Sequence, residues 1–178
     1  MISTKRLILR PWKEGDKLSY AQMNADPKVM EFFPGLMTKE ESNAQAERIQ
    51  LGIEERGWGF FAAELKETGE FIGIIGINPV DFLDRPTTEI GWRLASEHWG
   101  MGYAPEGAKA CLDYAFKTLK LPEIVAFTAK NNQKSRRVME KIRLKHVPER
   151  DFKHPQLAPN HPLSQHVLYA ISREDYFE

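Results

Sequence analysis

The sequence predicts a single α/β (α+β) domain built around a mixed sheet. Three observations carry that prediction. The hydrophobic period switches between strand and helix several times along 178 residues. The order reads strand, helices, antiparallel strands, then strand, helix, strand, helix, strand. No linker, internal repeat or low-complexity tract divides the chain, so residues 1–178 read as one domain of ordinary size.

Arg6 to Trp12 alternate enough for a first strand, which Gly15-Asp16 breaks. Asp16 is placed to cap a helix carrying Leu18, Ala21, Met23 and Ala25. Asp26-Pro27 starts a short helical piece that ends at Phe32-Phe33-Pro34-Gly35. Thr38 and Glu41 have the spacing of a capping box, in which a threonine oxygen takes one free N–H and the glutamate another. The helix behind it carries Ala46, Ile49 and Ile53 at helical spacing and stops at Gly57. Phe60 to Lys66 and Phe71 to Ile77 are aromatic and β-branched, and Thr68-Gly69 between them marks a hairpin.

A third strand spans Thr88 to Leu94. A helix follows from Ala104 to Leu119, with Pro105 in its first turn and Ala108, Leu112, Ala115 and Leu119 as its buried stripe. Leu121-Pro122 ends it. Glu123 to Ala129 is a strand. Asn132 to Ile142 is a helix with Val138, Met139 and Ile142 on one side. Lys145 to Phe152 and His166 to Ser172 are two closing strands around the proline-rich loop His154 to Pro162.

Composition narrows the class of protein. Hydrophobic residues make up 42% and charged residues 28%, as in a soluble globular domain. A formal net charge of zero gives no argument for a nucleic-acid partner or an anionic membrane. The single cysteine, Cys111, excludes an internal disulfide and reads as core. Met1 to Arg10 has no long apolar run, and no stretch nears the ~18 residues of a membrane helix, so a cytoplasmic protein is expected. His154, His161 and His166 match no common metal-ligand spacing, so no metal is expected.

The chemistry-bearing segment starts at Glu89-Ile90-Gly91-Trp92-Arg93-Leu94 and continues through Trp99-Gly100-Met101-Gly102-Tyr103-Ala104 into a helix. Strand, glycine turn and helix N-terminus form an anion site, because unpaired N–H groups and the helix dipole both favour negative charge. Gly100 and Gly102 let a diphosphate approach the backbone. It is not a P-loop, having no Gly-Lys-Ser/Thr, and it lacks the third glycine of a dinucleotide fingerprint. Further on, Asn132 is a good N-cap with Ser135 three residues later. Spacing alone leaves a simple turn and a simple cap as the alternatives.

Taken together, these segments resemble the GNAT superfamily of N-acetyltransferases, and its RimJ/RimL-type branch in particular. The superfamily turn is Arg/Gln-x-x-Gly-x-Gly/Ala; here it reads Trp99-Gly100-Met101-Gly102-Tyr103-Ala104, with tryptophan in the polar position. Glu89-Ile90-Gly91-Trp92, Asn132-x-x-Ser135-x-x-Val138-Met139-Glu140-Lys141 and the opening Thr4-Lys5-Arg6-Leu7-Ile8-Leu9-Arg10-Pro11 extend the likeness over nearly the whole chain. Two features depart from it. Arg143-Leu144 stands where the family has Gly-Phe or a similar pair, and no tyrosine lies between Asn132 and Ile142, where many members keep a general acid.

The resemblance implies a mostly antiparallel central sheet flanked by helices. It implies acetyl-CoA as co-substrate and direct transfer of acetyl to a primary amine, either a protein N-terminus or a small molecule. Trp92, Arg93, Leu94, Trp99, Gly100, Met101, Gly102, Tyr103, Ala104, Asn132 and Ser135 are then the expected cofactor contacts, with an amide of the Trp92–Leu94 strand facing the oxyanion. Glu89 is the expected general base and Ser135 the group at the departing sulfur. Arg136 or Arg137 reaches a CoA phosphate or lies on a solvated face. The loop His154 to His161 is expected to border the acceptor pocket. The alternative function is a catalytically silent CoA-binding sensor. A homodimer is expected from the family alone.

Overall fold

A computed structural model describes every residue, Met1–Glu178. Nine strands form one sheet: β1 (Ile2–Ser3), β2 (Leu7–Arg10), β3 (Phe60–Leu65), β4 (Phe71–Val80), β5 (Thr87–Leu94), β6 (Glu123–Ala129), β7 (Lys145–His146), β8 (Phe152–Lys153) and β9 (Gln165–Ser172). The spatial order is β1-β2-β3-β4-β5-β6-β9-β7, with β8 also on β9. All pairs are antiparallel except β5–β6, which is the mostly antiparallel mixed sheet expected. The helices are α1 (Asp16–Asn24), α2 (Lys39–Arg56), α3 (Tyr103–Asp113), α4 (Gln133–Lys141) and α5 (Arg173–Phe177). None is long and apolar enough to cross a membrane.

The two faces of the sheet divide the helices. A Cβ on Gly107 of α3 would strike Ile75 of β4 and approach Leu7 of β2, so α3 covers the face bearing those residues. In register, Ile75 lies beside Trp92, which puts Ile90, Trp92 and Leu94 on that face. Arg93 is turned the other way and bonds to Tyr20 and Asn24 of α1 and Gln45 of α2. Glu89, Gly91 and Arg93 therefore share the α1–α2 face.

Local signals produced most boundaries as expected. Thr38 Oγ1 accepts from Glu41 N–H while the Glu41 carboxylate accepts from Thr38 N–H, and Gly57 closes α2 in the left-handed region. Asn132 caps α4 by accepting from Ser135 N–H.

Other expectations need correcting. Gly15, not Asp16, is the α1 N-cap; the Asp16 carboxylate is buried against Arg10. Leu18 points to solvent at 58% exposure and Ala25 follows the helix; Tyr20 and Asn24 are the fully buried residues of α1. The Asp26–Phe33 segment is a series of turns with one i→i−4 bond, from Met30 N–H to Asp26 C=O, too little to propagate a helix. The expected strand 145–152 is interrupted at Pro148, which has no N–H for a ladder, and becomes β7, a 3₁₀ turn at Pro148–Arg150 and β8. Beyond Asp113 the α3 helix widens into a π turn, Tyr114–Thr118, that buries both Ala115 and Phe116.

Arg143 keeps the left-handed conformation that a glycine would have supplied, at φ 73°. Arg143 N–H bonds to Glu140 C=O and Leu144 N–H to Met139 C=O, the paired bonds of a Schellman end. The guanidinium then donates to the Asp175 and Tyr176 carbonyls at the chain terminus. Arg143→Gly removes the strain and these bonds together, so its stability should lie within about 1 kcal/mol of the parent. Arg143→Val forces a β-branched residue into the same φ and should cost about 1–3 kcal/mol. Urea unfolding of both variants checks the ranking, and equal midpoints would show that the position carries no strain.

Candidate active site

β5 and β6 part company early. Their only paired position is Glu89 with Val125. Beyond it β6 stays paired with β9 along its full length, while β5 stays paired with β4. A gap therefore opens between the two parallel strands towards Leu94 and Ala129. The N-terminal ends of α3 and α4, which follow those strands, stand on the rim of this gap.

The main chain of β5 has a free edge along the gap. Ala95 N–H donates to Ile72 C=O of β4, and hydrogen-bonding direction alternates along an antiparallel strand. Arg93 thus turns its amide and carbonyl to β4, and those of Trp92 and Leu94 face the gap. The Trp99 indole confirms the direction by donating to Leu94 C=O at 2.9 Å. Of the three strand residues expected at the cofactor, Arg93 is the exception: its main chain is engaged with β4 and its side chain lies on the opposite face.

The glycine turn is held open as a cradle. Gly100 and Gly102 adopt φ 73° and 82°, in the left-handed region that L side chains avoid. The amides of Gly100, Met101, Gly102, Tyr103 and Ala104 donate to no main-chain or side-chain acceptor in the chain. Arg6 fastens the turn from below: its Nη1 donates to Met101 C=O, and its plane lies 4.5 Å from the Tyr103 ring centroid. Glu106, in the first turn of α3, accepts from Thr4 Oγ1, Arg6 N–H and Arg6 Nε. That spends the one carboxylate in the first turn of α3. Burial works against the charge on Glu106, but the bonds from Thr4 and Arg6 win and its pKa falls below the ordinary value. Lys134 of α4 stands 4.5 Å from the centre of the Trp99 ring and adds a cation beside the turn. Free amides, a helix N-terminus and nearby cations suit a diphosphate.

At the α4 rim, Asn132 is well occupied. Its Oδ1 caps Ser135 N–H and its Nδ2 donates to Thr128 Oγ1. Ser135 is half-buried, and its hydroxyl has no partner in the chain. Arg136 is turned away from the cradle onto Tyr169 OH and Lys130 C=O, and Arg137 is exposed.

Glu89 lies at the apex of the gap on the α1–α2 face. It is half-buried, and the dense protein around it raises its pKa to about 7; the Asn78 side chain, opposite in register, partly offsets the rise. Two walls flank it on this face. Phe33 and Arg93 form one, with the guanidinium 4.2 Å from the ring centre. Phe82, Phe127, Phe152, His154 and His166 form the other, with ring centres 5.0–6.5 Å apart. Burial lowers the pKa of both histidines, so this wall is uncharged at neutral pH. No group of His, Cys, Asp and Glu is arranged to hold a metal ion.

Cys111 lies inside α3, 1% exposed, and burial pushes its thiol up to about 12. It is no nucleophile at neutral pH. An aromatic disulfide reagent should label it only at the rate of unfolding. Rapid labelling of the folded protein would place the thiol outside the core.

Sequence reasoning missed Arg6 and Glu106 as the clamp of the turn, Asn78 beside Glu89, and the Arg93 side chain on the opposite face. The alternation of β5 already separates Arg93 from Trp92 and Leu94, so that last signal was present.

Residues 6–145 match the acetyltransferase (GNAT) domain family. The chain is 36% identical over 140 residues to the uncharacterized protein YkkB of Bacillus subtilis, covering 78% of this chain and 81% of that one. It is 30% identical over 184 residues to the FsC-acetyl coenzyme A-N(2)-transacetylase of Aspergillus fumigatus, covering 98% and 77%. A GNAT-family acetyltransferase of Bacillus anthracis superimposes with a TM-score of 0.81 at 28% identity, covering 97% of this chain and 98% of that structure. A split parallel pair, an amide cradle on its rim and a family match over most of the length agree: the chain belongs to the GNAT acetyltransferase family and is an acetyl-CoA-dependent N-acetyltransferase.

Proposed function

We propose that this enzyme transfers acetyl directly to a primary amine that reaches Glu89 from the α1–α2 face, in the manner of the RimJ/RimL-type branch. The observation that carries the reading is Glu89 itself: a carboxylate at the apex of the β5–β6 gap, across the sheet from the cradle, with a pKa near 7. Acetyl-CoA supplies a thioester carbonyl and a sulfur leaving group. The turn Trp99–Ala104 binds the diphosphate through its free amides, with Lys134 beside it. The gap-facing amides of Trp92 and Leu94 bind the arm and the carbonyl oxygen. Glu89 takes the proton of the attacking amine, directly or through water, as the N–C bond forms and the C–S bond breaks. The free Ser135 hydroxyl donates to the departing sulfur, and Asn132 holds the start of α4 in place for it.

A base with a pKa near the working pH is the efficient choice for an amine that must be neutral to attack. The acceptor is a protein N-terminus or a small amine. Calorimetric titration with CoA, then free-thiol release over a panel of peptides and amines, tests the reading. Micromolar CoA binding with amine-dependent thiol release is expected. Tight CoA binding without turnover on any amine would leave a silent sensor, and absence of CoA binding would defeat the donor site altogether.

A further inference from the structure

Arg93 carries an unmatched charge on the acceptor face. All three of its hydrogen bonds, to Tyr20 OH, Asn24 Oδ1 and Gln45 Oε1, use Nη1. Its acceptors there are neutral groups, and it forms no ion pair. Nε is shielded from solvent and has no partner, one of two such buried side-chain atoms in the protein. Nη2 also has no partner in the chain, and it keeps access to solvent. The donor left free for a ligand oxygen is thus Nη2, at the edge of a guanidinium whose charge suits a carboxylate. Phe33, exposed at 38%, covers the flat face of the guanidinium and fixes its plane.

This free donor has company of the right kind. Glu89, Gly91 and Arg93 point to the same face, four residues apart end to end, or roughly 13 Å of strand. At Gly91, between them, the Phe60 ring lies against the strand, 3.0 Å from where a Cβ would stand, and gives this stretch an aromatic floor. The far wall of phenylalanines and neutral histidines adds no anion. Asp16 and Glu64 are paired with Arg10, and Asp84 with Arg150. A polycationic acceptor would meet a bare cation here. An acceptor with its own carboxylate would supply the missing counter-charge.

Resting on the acyl-transfer reading above, we infer that the acceptor is an amino acid or similar small amino-carboxylate, whose carboxylate pairs with Arg93 through Nη2 while its amine faces Glu89. Tyr20, Asn24 and Gln45 then act as positioning residues, holding Nη1 so that Nη2 is presented.

The test compares acids with their carboxamides. N-acetyl amino acids, as product mimics, and the matching N-acetyl amino amides are titrated calorimetrically into the full-length enzyme with and without CoA. Free amino acids and amino amides are compared for CoA-dependent thiol release in parallel. At least one acid should bind about ten-fold or more tightly than its amide, as expected for hydrogen bonds to a charged group. Arg93→Gln should bring that ratio close to one. Arg93→Lys keeps the charge without the planar guanidinium held by Tyr20, Asn24 and Gln45, guards against a misfolded glutamine variant, and should leave an intermediate ratio. A purely structural Arg93 would lower activity on acid and amide alike without moving the ratio. Equal binding of acid and amide, binding of neither, or a preference that survives both substitutions overturns the inference. Loss of CoA binding would count against the acetyltransferase reading instead, since the acid-to-amide ratio is also read without CoA.

Discussion

Glu89→Gln is expected to lower kcat by about 10²–10³-fold while leaving the Kd for CoA within about two-fold. The reason is location. Glu89 lies on the face away from the α3 cradle, so as the proposed base its loss should slow proton removal and spare diphosphate binding. In the parent, kcat/KM should rise with pH through about 7, where burial has moved the carboxyl, and then level until the acceptor's own ionisation intervenes. The variant should lose the limb near 7 and keep the acceptor's limb. A variant whose profile still bends near 7 would remove Glu89 as the base.

The same substitution has a second signature with a definite sign. A carboxyl whose folded pKa is raised favours the folded state while protonated, and that advantage disappears as pH rises from about 4.5 to about 7. The parent therefore carries the cost of a charged, half-buried glutamate at pH 8, of order 1–3 kcal/mol. Glu89→Gln should be more stable than the parent at pH 8 and indistinguishable from it near pH 4. An inactive variant that is also less stable at pH 8 would point to a structural role. Loss of activity with gain of stability is the pattern of a group kept for chemistry.

What the sequence disclosed was local, and what it concealed was long-range. Thr38 with Glu41, Thr68-Gly69, Gly57 and Asn132 with Ser135 act within a few residues, and each punctuates the structure where it was read. Gly100 and Gly102 belong to the same class, since a left-handed turn is a property of the residues that make it. The facing of α1 was different. Leu18 and Tyr20 both sit in a weakly amphipathic segment, and the choice of Tyr20 depends on Arg93, 73 residues away. The short helix expected after Asp26 failed because Met30 to Asp26 is its only α-type bond. Pro148 was a visible stop within the expected strand 145–152.

The active site divides along the same line. Glycines and caps announced the donor side, but the gap that makes it useful arises from β5 and β6 pairing at one position, 36 residues apart in sequence. No periodicity within either strand encodes where they separate. The clamp of the turn spans a hundred residues, from Arg6 to Glu106, and had no local mark. Tryptophan at the first position of the turn likewise became intelligible only with its partner, Leu94 C=O, in place.

The largest stability effect should come from the ion cluster that joins β2 to α1. Arg10 binds Asp16 through both Nη atoms, at 2.7 and 3.0 Å, and Glu64 through Nε at 2.6 Å. Asp16 also accepts from Lys13 N–H. The Arg10 and Asp16 side chains keep only 8% and 5% of their surface exposed. Asp16→Ala strands the guanidinium with half its partners and should cost about 3–5 kcal/mol, or roughly 6–20 °C in Tm. The double variant Arg10→Met, Asp16→Leu should lose clearly less than the sum of the single losses, because neither charge is then left alone. Glu64 gives a pH signature: the bonds from Arg10 and Lys13 hold its pKa below the usual value, so its share of the stability is complete above about pH 5 and disappears as pH falls through the folded value. The consequence for catalysis is indirect. The cluster sets α1 against the sheet, and α1 carries Tyr20 and Asn24, which hold Arg93 on the acceptor face. Asp16→Ala protein assayed well below its Tm should therefore lose acid-over-amide selectivity before it loses CoA binding, since the α3 cradle is anchored separately through Arg6 and Glu106. Parallel loss of both would mean that the two faces of the sheet fail as one unit.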